Sequence, residues 1–298
     1  MKFCQAKTGQ LQIFDTMSKI TIINDAEQAA LVTNNAVTAG KFYLKAEGST
    51  NAGDVVIYNG STWKRFANEA SASFSNAYSV DFDGTDDYAS FSAISLPDGP
   101  RTISAWVNFS SVSGTFNTIV GSSLGNGYRG LHWSPSNGYI YFYGADQTGR
   151  YKNYTGSITT NTWYHVMVVD NDSGSSGNFE IYVNGTDIGT PAPSANTSAP
   201  LAIDLQYIGR GGSTYFPGLI DEVAIWNSDE SANISEIRDT SGSNPVPGDL
   251  SLMTNQPLHW WRMGDNENGT GTTITDQGSV GVDATLQNQA SFSSDVPS

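Results

Sequence analysis

The chain has little of what many folds rely on. One of its 298 residues is a cysteine, Cys4, and three are histidines. An intrachain disulfide is therefore excluded and the core must hold the fold together, while a zinc site of cysteine and histidine has too few ligands. No stretch approaches the roughly 18 apolar residues of a membrane-spanning helix. The N-terminus, MKFCQAKTGQLQIFDTMSK, also lacks the apolar segment of a signal peptide.

Charged residues are scarce, and basic residues are fewer than acidic ones. Lys and Arg number 14 against 29 Asp and Glu, so the formal net charge is −15. A surface with this charge repels phosphate backbones, and we expect no nucleic-acid partner. The acid excess suits either solubility alone or a bound Ca²⁺, a hard cation that takes oxygen ligands.

Turn-forming residues and aromatics are abundant, and this balance favours short strands over helices. From about Tyr78 the sequence alternates with period two, and turn signals recur about every 8–12 residues. GYIYFYG, for example, turns Ile140 and Phe142 to one face and three tyrosines to the other. FEIYVNGTDIGT reads as a hairpin with Asn184-Gly185 as its turn. The expected inward side chains of TISAWVNF are Ile103, Ala105, Val107 and Phe109. The pattern predicts an all-β sandwich or jelly roll.

The first 72 residues differ from the rest. Residues 25–32 predict a two-turn helix, and DVVIYNGSTWKRF predicts a hairpin around Asn59-Gly60. The small polar stretch at 68–76 marks a boundary. We therefore expect a small β-rich domain over 1–72 and a sandwich over 76–298. One helix is predicted after Trp226, where Asn233 and Glu236 have the spacing of a capping box.

Five segments of the second domain, in this order, carry a resemblance: YSVDFDGTDDYASF, RTISAWVNF, NTWYHVMVV, FEIYVNG and YFPGLIDEVAIWN. Together they resemble the laminin-G-like jelly rolls of the concanavalin-A-like fold, over residues 76–290. The resemblance implies two antiparallel sheets packed face to face, with the C-terminal strand beside the N-terminal one. Such domains occur in adhesins, extracellular bacterial proteins, pentraxin-like proteins and phage virion proteins, so the fold alone does not set the function.

An acidic corner follows the first strand of this domain. Its aspartates surround Gly84 at spacings that let carboxylates converge on one cation, and the resemblance implies a Ca²⁺ site on loops near such corners. The candidate ligands are Asp81, Asp83, Asp86, Asp87, Asp221 and Glu222. The alternative is that the aspartates cap turns.

Tyrosines form the second candidate site. Tyr139, Tyr141 and Tyr143 share one face of a strand, and Trp133 and Tyr151 lie nearby in sequence. Aromatic rings can stack on the apolar faces of sugars while their hydroxyls reach sugar hydroxyls. A glycan platform is one interpretation, and packing within the sandwich or against a neighbouring subunit is the other.

Catalysis is not expected. Glycosidases need two carboxylates across the scissile bond, and the related glucanases carry them as Glu-x-Asp-x-x-Glu or Glu-x-Asp-x-Glu on one strand. No strand here has that pattern. The nearest pair, Asp221-Glu222, is adjacent in sequence and should point to opposite faces of its strand.

The N-terminal hairpin resembles small β modules of phage tail and capsid accessory proteins. With a starting Met and no signal segment, this suggests a virion surface protein made in the host cytoplasm. Residues 1–72 would bind capsid or tail proteins, as a homo-oligomer such as a trimer. The jelly roll would decorate or cement the particle, or bind cell-surface glycans, and no membrane partner is expected. The alternatives are an extracellular bacterial carbohydrate-binding adhesin and, third, a glycoside hydrolase.

Overall fold

The structure is a computed structural model, and the chain divides into two compact units, Met1–Ser75 and Asn76–Ser298. Side chains are described for residues 74–97, 99–113, 116–122, 129–143, 151–171, 179–189, 203–240, 242 and 244–298. Before residue 74 the strand backbones alone are described, as is that of residues 149–150. The helix predicted for residues 25–32 lies outside the described residues.

The first unit contains one sheet, with strand order β1-β2-β3-β4-β5. Its strands are β1 (Gln10–Leu11), β2 (Ile20–Ile23), β3 (Phe42–Lys45), β4 (Val55–Tyr58) and β5 (Trp63–Phe66). Strands β4 and β5 pair antiparallel, which confirms the predicted hairpin. Strands β2 and β3 run parallel, a pairing that the local sequence pattern does not reveal.

The second unit is built from short strands. In chain order they are β6 (Ser79–Asp83), β7 (Tyr88–Leu96), β8 (Arg101–Phe109), β9 (Asn117–Ser122), β10 (Arg129–Ser134), β11 (Tyr139–Tyr143), β12 (Gly149–Asn153), β13 (Trp163–Asp170), β14 (Phe179–Val183), β15 (Thr186–Asp187), β16 (Ile203–Ile208), β17 (Arg210–Gly211), β18 (Thr214–Tyr215), β19 (Pro217–Trp226), β20 (Arg238–Asp239), β21 (Val246–Pro247), β22 (His259–Trp261), β23 (Thr273–Ile274), β24 (Ala284–Gln287) and β25 (Ser291–Ser293).

Two antiparallel sheets form the sandwich. Sheet I has the order β12-β11-β10-β9-β16-β7-β24-β23. Sheet II has the order β15-β14-β13-β8-β19-β6-β25, and β22 also pairs with β19. Strand β24 pairs with β7 and β25 pairs with β6, so the end of the chain returns beside the first strands of the unit. This confirms the all-β jelly-roll prediction.

The core lies between the two sheets, and β8 shows why its sequence suits that place. Ile103, Ala105, Val107 and Phe109 all point into the core and have no exposed surface, as predicted. On sheet I, Ile140 and Phe142 do the same. Each fully buried large apolar side chain contributes roughly 1.5–3 kcal/mol relative to an exposed one.

The outer face of sheet II is covered, although its residues are largely polar. Thr102, Ser104, Trp106 and Asn108 point away from the core and are nevertheless buried. Ser228, Glu230 and Asn255 lie against this face near Thr102 and Trp226. The Thr102 hydroxyl donates to the Ser228 carbonyl oxygen at 2.7 Å, and the indole of Trp226 donates to the Asn255 carbonyl oxygen at 3.1 Å. These contacts cover Thr102 at the start of β8.

The helix predicted after Trp226 is much shorter than expected. A 3₁₀ turn (Ser231–Asn233) leads into one α-helical turn, α1 (Ile234–Ile237), and a second 3₁₀ turn spans Leu250–Leu252. The capping-box prediction was wrong, because the Asn233 side chain donates to Glu230 at 2.6 Å instead of capping the helix. In the part of the chain that the structure describes, no helix has the length and apolarity to cross a membrane.

Candidate functional site

A groove of about 640 Å³ opens at one end of the sandwich. The turn after β6, the start of β9 and the β17–β18 hairpin meet there because these strands end at the same edge. Most of the lining is polar, with two aromatic rings. The lining consists of Asp83, Gly84, Thr85, Ser111, Ser113, Phe116, Asn117, Ser213, Thr214, Tyr215 and Pro217.

Asn117 is the lining residue with an unmet hydrogen bond. Its side chain is 4% exposed. Its Nδ2 atom is buried and finds no acceptor within the described part of the chain. A buried donor left without a partner costs about 1–3 kcal/mol. Because Asn117 lines the groove, this amide is a candidate donor to an oxygen atom of a ligand there.

Asp83 shapes the turn at the mouth of the groove. Its Oδ1 atom accepts hydrogen bonds from the backbone N–H groups of Thr85 at 2.7 Å and Asp86 at 3.1 Å. These bonds stabilise the carboxylate and lower the pKa of Asp83, with the Thr85 bond as the main cause. Gly84 has a φ of +76°, and a Cβ atom there would lie 2.8 Å from that of Pro217, so the turn requires glycine.

The acidic corner is compact but already engaged. Carboxylate oxygens of Asp83, Asp86 and Asp87 lie within 4.8 Å of one another. Asp87 is buried and accepts from the backbone N–H groups of Asp83 at 3.2 Å and Gln289 at 2.9 Å. Asp81 is outside this group, and burial, followed by repulsion from Asp87 and Asp83, raises its pKa. The hydrogen bonds fit the turn-capping alternative, and the Ca²⁺ site stays a prediction.

Asp221 and Glu222 do not join this corner. A β-bulge lies between Asp221 and Ala224 in the pairing of β19 with β8, and Glu222 has a φ of +46°. The expectation that the two side chains point to opposite faces was therefore wrong. The bulge places both carboxyl groups in the same buried environment. Asp221 accepts from the Asn76 amide at 2.8 Å.

Glu222 is held by two donors. Its carboxylate accepts from the Trp260 indole at 2.5 Å and from Nε of Arg262 at 3.1 Å. Burial is the largest cause that raises its pKa, to about 7, and Asp265 adds to it, while Arg262 and Trp260 oppose it. Burial and the Glu222 charge raise the pKa of Asp221 well above its usual range. The cluster is structural, since neither carboxylate is exposed to a substrate.

The four tyrosines predicted as a platform do come together on the outer face of sheet I. The rings of Tyr141 and Tyr143 stack with centroids 5.6 Å apart, and Tyr141 lies 4.9 Å from Tyr151. Tyr139 lies 5.2 Å from Tyr151. We call Tyr139, Tyr141, Tyr143 and Tyr151 the tyrosine platform. Phe116 contacts Tyr141 at 5.0 Å and also lines the groove, so it connects the two surfaces.

Trp133 is not part of this platform. It pairs with Ile140 across β10 and β11, and both point into the core. Its side chain has no exposed surface and packs edge-on against Phe109 at 5.4 Å. Nearness in sequence placed it with the tyrosines, but the pleat of β10 turns it inward.

The histidines are structural as well. His132 and His165 are fully buried, and burial lowers both pKa values to about 3. His165 Nε2 lies 2.8 Å from the Ser104 hydroxyl, which is the pairing of a hydrolase nucleophile with its base. Neither side chain is more than 1% exposed, so no substrate reaches them. His259 bonds Asp276 at 2.7 Å.

Among the residues that line the groove, the sequence singled out Asp83 as a candidate site residue. It did not single out Phe116, Asn117 and Tyr215. They come from the start of β9 and from a two-residue strand, and they converge only in the folded chain. No motif marks them, since FNTIV and STYF read as ordinary strand beginnings.

Comparison with known proteins agrees with this architecture. The family described as Concanavalin A-like lectin/glucanases superfamily, a laminin-G-like domain, matches residues 83–234. Comparison with curated protein sequences gives no match.

Three solved structures illustrate the likeness. A protein of Bacteroides ovatus, whose own assignment to carbohydrate binding is provisional, is 18% identical with a TM-score of 0.50, over 87% of this chain and 70% of that one. A heptameric SAP-like pentraxin of Limulus polyphemus is 17% identical (TM-score 0.44, 61% and 91% covered). Domains LG4-5 of the mouse laminin alpha1 chain are 14% identical (TM-score 0.35, 58% and 48% covered). The family match spans half of the chain, and the protein therefore belongs to the concanavalin A-like lectin/glucanases superfamily.

Proposed function

We propose that the Asn76–Ser298 unit binds carbohydrate in the groove and across the tyrosine platform, without catalysing a reaction. The observation that carries this proposal is the unmet Nδ2 donor of Asn117, which is buried and lines the groove. A sugar hydroxyl is a suitable acceptor, and it would remove the cost of the unpaired amide.

The aromatic rings provide the second part of a sugar site. Phe116 and Tyr215 line the groove, and Phe116 continues into the tyrosine platform. Tyr139, Tyr143 and Tyr151 are half-buried, so part of each ring faces solvent. Such rings stack on the apolar face of a pyranose, and their hydroxyls bond its edge. The superfamily's lectin-like fold and the provisional assignment of the Bacteroides ovatus protein are compatible with this function.

The acids of this unit favour binding over hydrolysis. Among the described residues that line the groove, Asp83 is the one carboxylate. Glycosidases place two carboxyl groups about 5–9.5 Å apart on either side of the bond. Asp221 and Glu222 are buried and bonded to protein donors. We therefore expect no release of reducing sugar from polysaccharides, and such release would support the glycoside hydrolase alternative.

The binding test uses a glycan array, followed by calorimetry on the best ligand. Asn117→Ala should weaken binding about fivefold, since a typical hydrogen bond contributes about 1 kcal/mol. Tyr143→Ala should also weaken binding because it removes a stacking ring. The matched controls are Asn171→Ala and Tyr182→Ala. Their side chains bond Asp229 and Glu180, and neither residue lines the groove.

The controls should bind like the wild type. If Asn117→Ala keeps full affinity while it remains folded, the groove is not the site. Repeating the array with EDTA tests whether Ca²⁺ takes part, as the acidic corner would require.

For residues 1–72 we propose attachment to a capsid or tail scaffold, with the sandwich facing outward from the virion surface. The support is the resemblance of its hairpin to phage accessory modules, together with a separate compact unit that has its own sheet. Deleting residues 1–72 should leave a folded sandwich that still binds glycans but no longer enters particles. Incorporation of the truncated chain would contradict this role. Absence of the full chain from purified particles would favour the extracellular adhesin alternative.

A further inference from the structure

Arg210 lies among three tyrosine rings on the outer face of sheet I. Its guanidinium carbon is 4.6 Å from the ring centre of Tyr88, 4.9 Å from that of Tyr207 and 5.6 Å from that of Tyr215. Tyr88 and Tyr207 also meet edge to face at 5.3 Å. The rings hold the cation through their π faces and limit its orientation.

Arg210 differs from most other cations of the unit. Within the described side chains, ion pairs with carboxylates are formed by Arg101, Arg129, Lys152 and Arg262. Arg210 and Arg238 form none. Arg238 is near the buried His165 of sheet II, and burial lowers the pKa of Arg238. On the outer face of sheet I, Arg210 is thus a cation without an acid partner, in a chain with a net charge of −15.

The hydrogen bonds of Arg210 leave most of its donors available. Nε donates to the Gly212 carbonyl oxygen at 3.3 Å. A guanidinium has five N–H donors, and the four on its two terminal nitrogens meet no acceptor among the described residues. The side chain is half-buried, so its outer edge reaches solvent. This fork of N–H groups matches the two oxygens of a carboxylate.

Arg210 is next to the proposed carbohydrate groove. It pairs with Tyr215 across the β17–β18 hairpin, and Tyr215 lines the groove. Within the groove the charge of Asp83 opposes an anion. An acidic group of a bound ligand must therefore lie beyond Tyr215, at Arg210.

We infer that the bound saccharide is acidic. Arg210 binds the carboxylate of a uronic-acid or sialic-acid residue, and the groove takes the neighbouring neutral sugar. The inference rests on the carbohydrate function proposed above and names its ligand class. Without Arg210, the net negative charge of the chain would disfavour such a glycan.

The test uses the full chain and glycans that differ in one group. An array displays oligosaccharides with uronic or sialic acid beside the same compounds after reduction of their carboxyl groups to alcohols. The wild type should bind the acidic member of a pair at least tenfold more tightly, since hydrogen bonds between charged groups are roughly twice as strong as neutral ones. Arg210→Gln should abolish this preference and bind the reduced member like the wild type.

Arg210→Lys keeps the charge but not the fork, so its preference should be intermediate. It also serves as the deciding variant if Arg210→Gln fails to fold. Equal binding of both members by the wild type would overturn the inference and leave the carbohydrate function standing. An undiminished acid preference in Arg210→Gln, or in Arg210→Lys if the Gln variant does not fold, would do the same. If the wild type binds no member of the array, the proposed function itself fails and the inference with it.

Discussion

The two sheets of the sandwich expose very different outer faces. On sheet II, the outward-pointing Thr102, Ser104 and Trp106 are buried. On sheet I, Tyr143, Tyr151 and other aromatic side chains remain half-buried, beside a groove with an unmet donor. In the sequence, the strands of both sheets show similar alternation of polar and apolar residues.

The difference separates a face that stabilises the fold from a face that is open to a partner. On the covered face, Thr102 finds its partners within the chain, in Ser228 and Glu230. The open face keeps aromatic rings at the surface, where they cost solubility unless they serve binding. We therefore expect changes on sheet II to alter stability and changes on sheet I to alter affinity.

The largest effect should follow Trp106→Ala on the covered face. The indole is 4% exposed, and removal of a buried Trp typically destabilises by 3–5 kcal/mol because a cavity remains. Tyr143→Ala on the open face should cost about 1 kcal/mol, since its ring is half-buried. Urea unfolding followed by tryptophan fluorescence measures both. Equal losses would break the distinction between the two faces.

The next effect concerns pH and the bulge on sheet II. Burial raises the pKa of Glu222 to about 7, from 4.5 in the unfolded chain. Between these values the folded protein holds a proton that the unfolded chain has lost, so the contribution of Glu222 to the free energy of unfolding falls as pH rises. Glu222→Gln removes this fall. Between pH 4.5 and 7, the free energy of unfolding of the variant should rise relative to that of the wild type by on the order of 3 kcal/mol.

Two buried histidines change the free energy of unfolding with pH in the opposite direction. Their effect is the same in Glu222→Gln and in the wild type, so it cancels when the two proteins are compared. Burial lowers the pKa values of His132 and His165 to about 3, so their contribution to stability is lost as pH falls below 6.5 in both proteins. Glu236 is exposed, so Glu236→Gln is the control for the removal of one carboxylate. A constant difference between Glu222→Gln and the wild type across the pH range would rule out a raised pKa at this site.

The smallest effect distinguishes turn capping from metal binding at the acidic corner. Asp83 accepts three backbone N–H groups, whereas Asp86 is exposed. Capping predicts that Asp83→Ala lowers the free energy of unfolding by about 1 kcal/mol with or without Ca²⁺. Asp86→Ala should then change it very little. Thermal melts in Ca²⁺ and in EDTA provide the measurement, and losses in both variants that appear only with Ca²⁺ would instead support the metal site.

Much of the architecture could be predicted from local patterns. The inward faces of β8 and β11, the Asn184-Gly185 turn and the two-sheet fold follow from alternation and from residues that tolerate positive φ; Asn184 and Gly185 have φ of 51° and 80°. The platform tyrosines share a strand or lie on its neighbour, so the sequence also predicts that they meet. The pleat that turns Trp133 inward depends on the register of β10, which the sequence alone left undecided.

The sequence by itself determined the strand pattern, the family resemblance and the acidic charge, because none of them depends on which distant segments meet in the fold. The tertiary structure decided the rest. The bulge at Glu222, the burial of the outer face of sheet II, the groove at Asn117 and the tyrosines around Arg210 all join residues far apart in sequence. Contacts of this kind arise from strand register and from the path of loops, and no local periodicity encodes them.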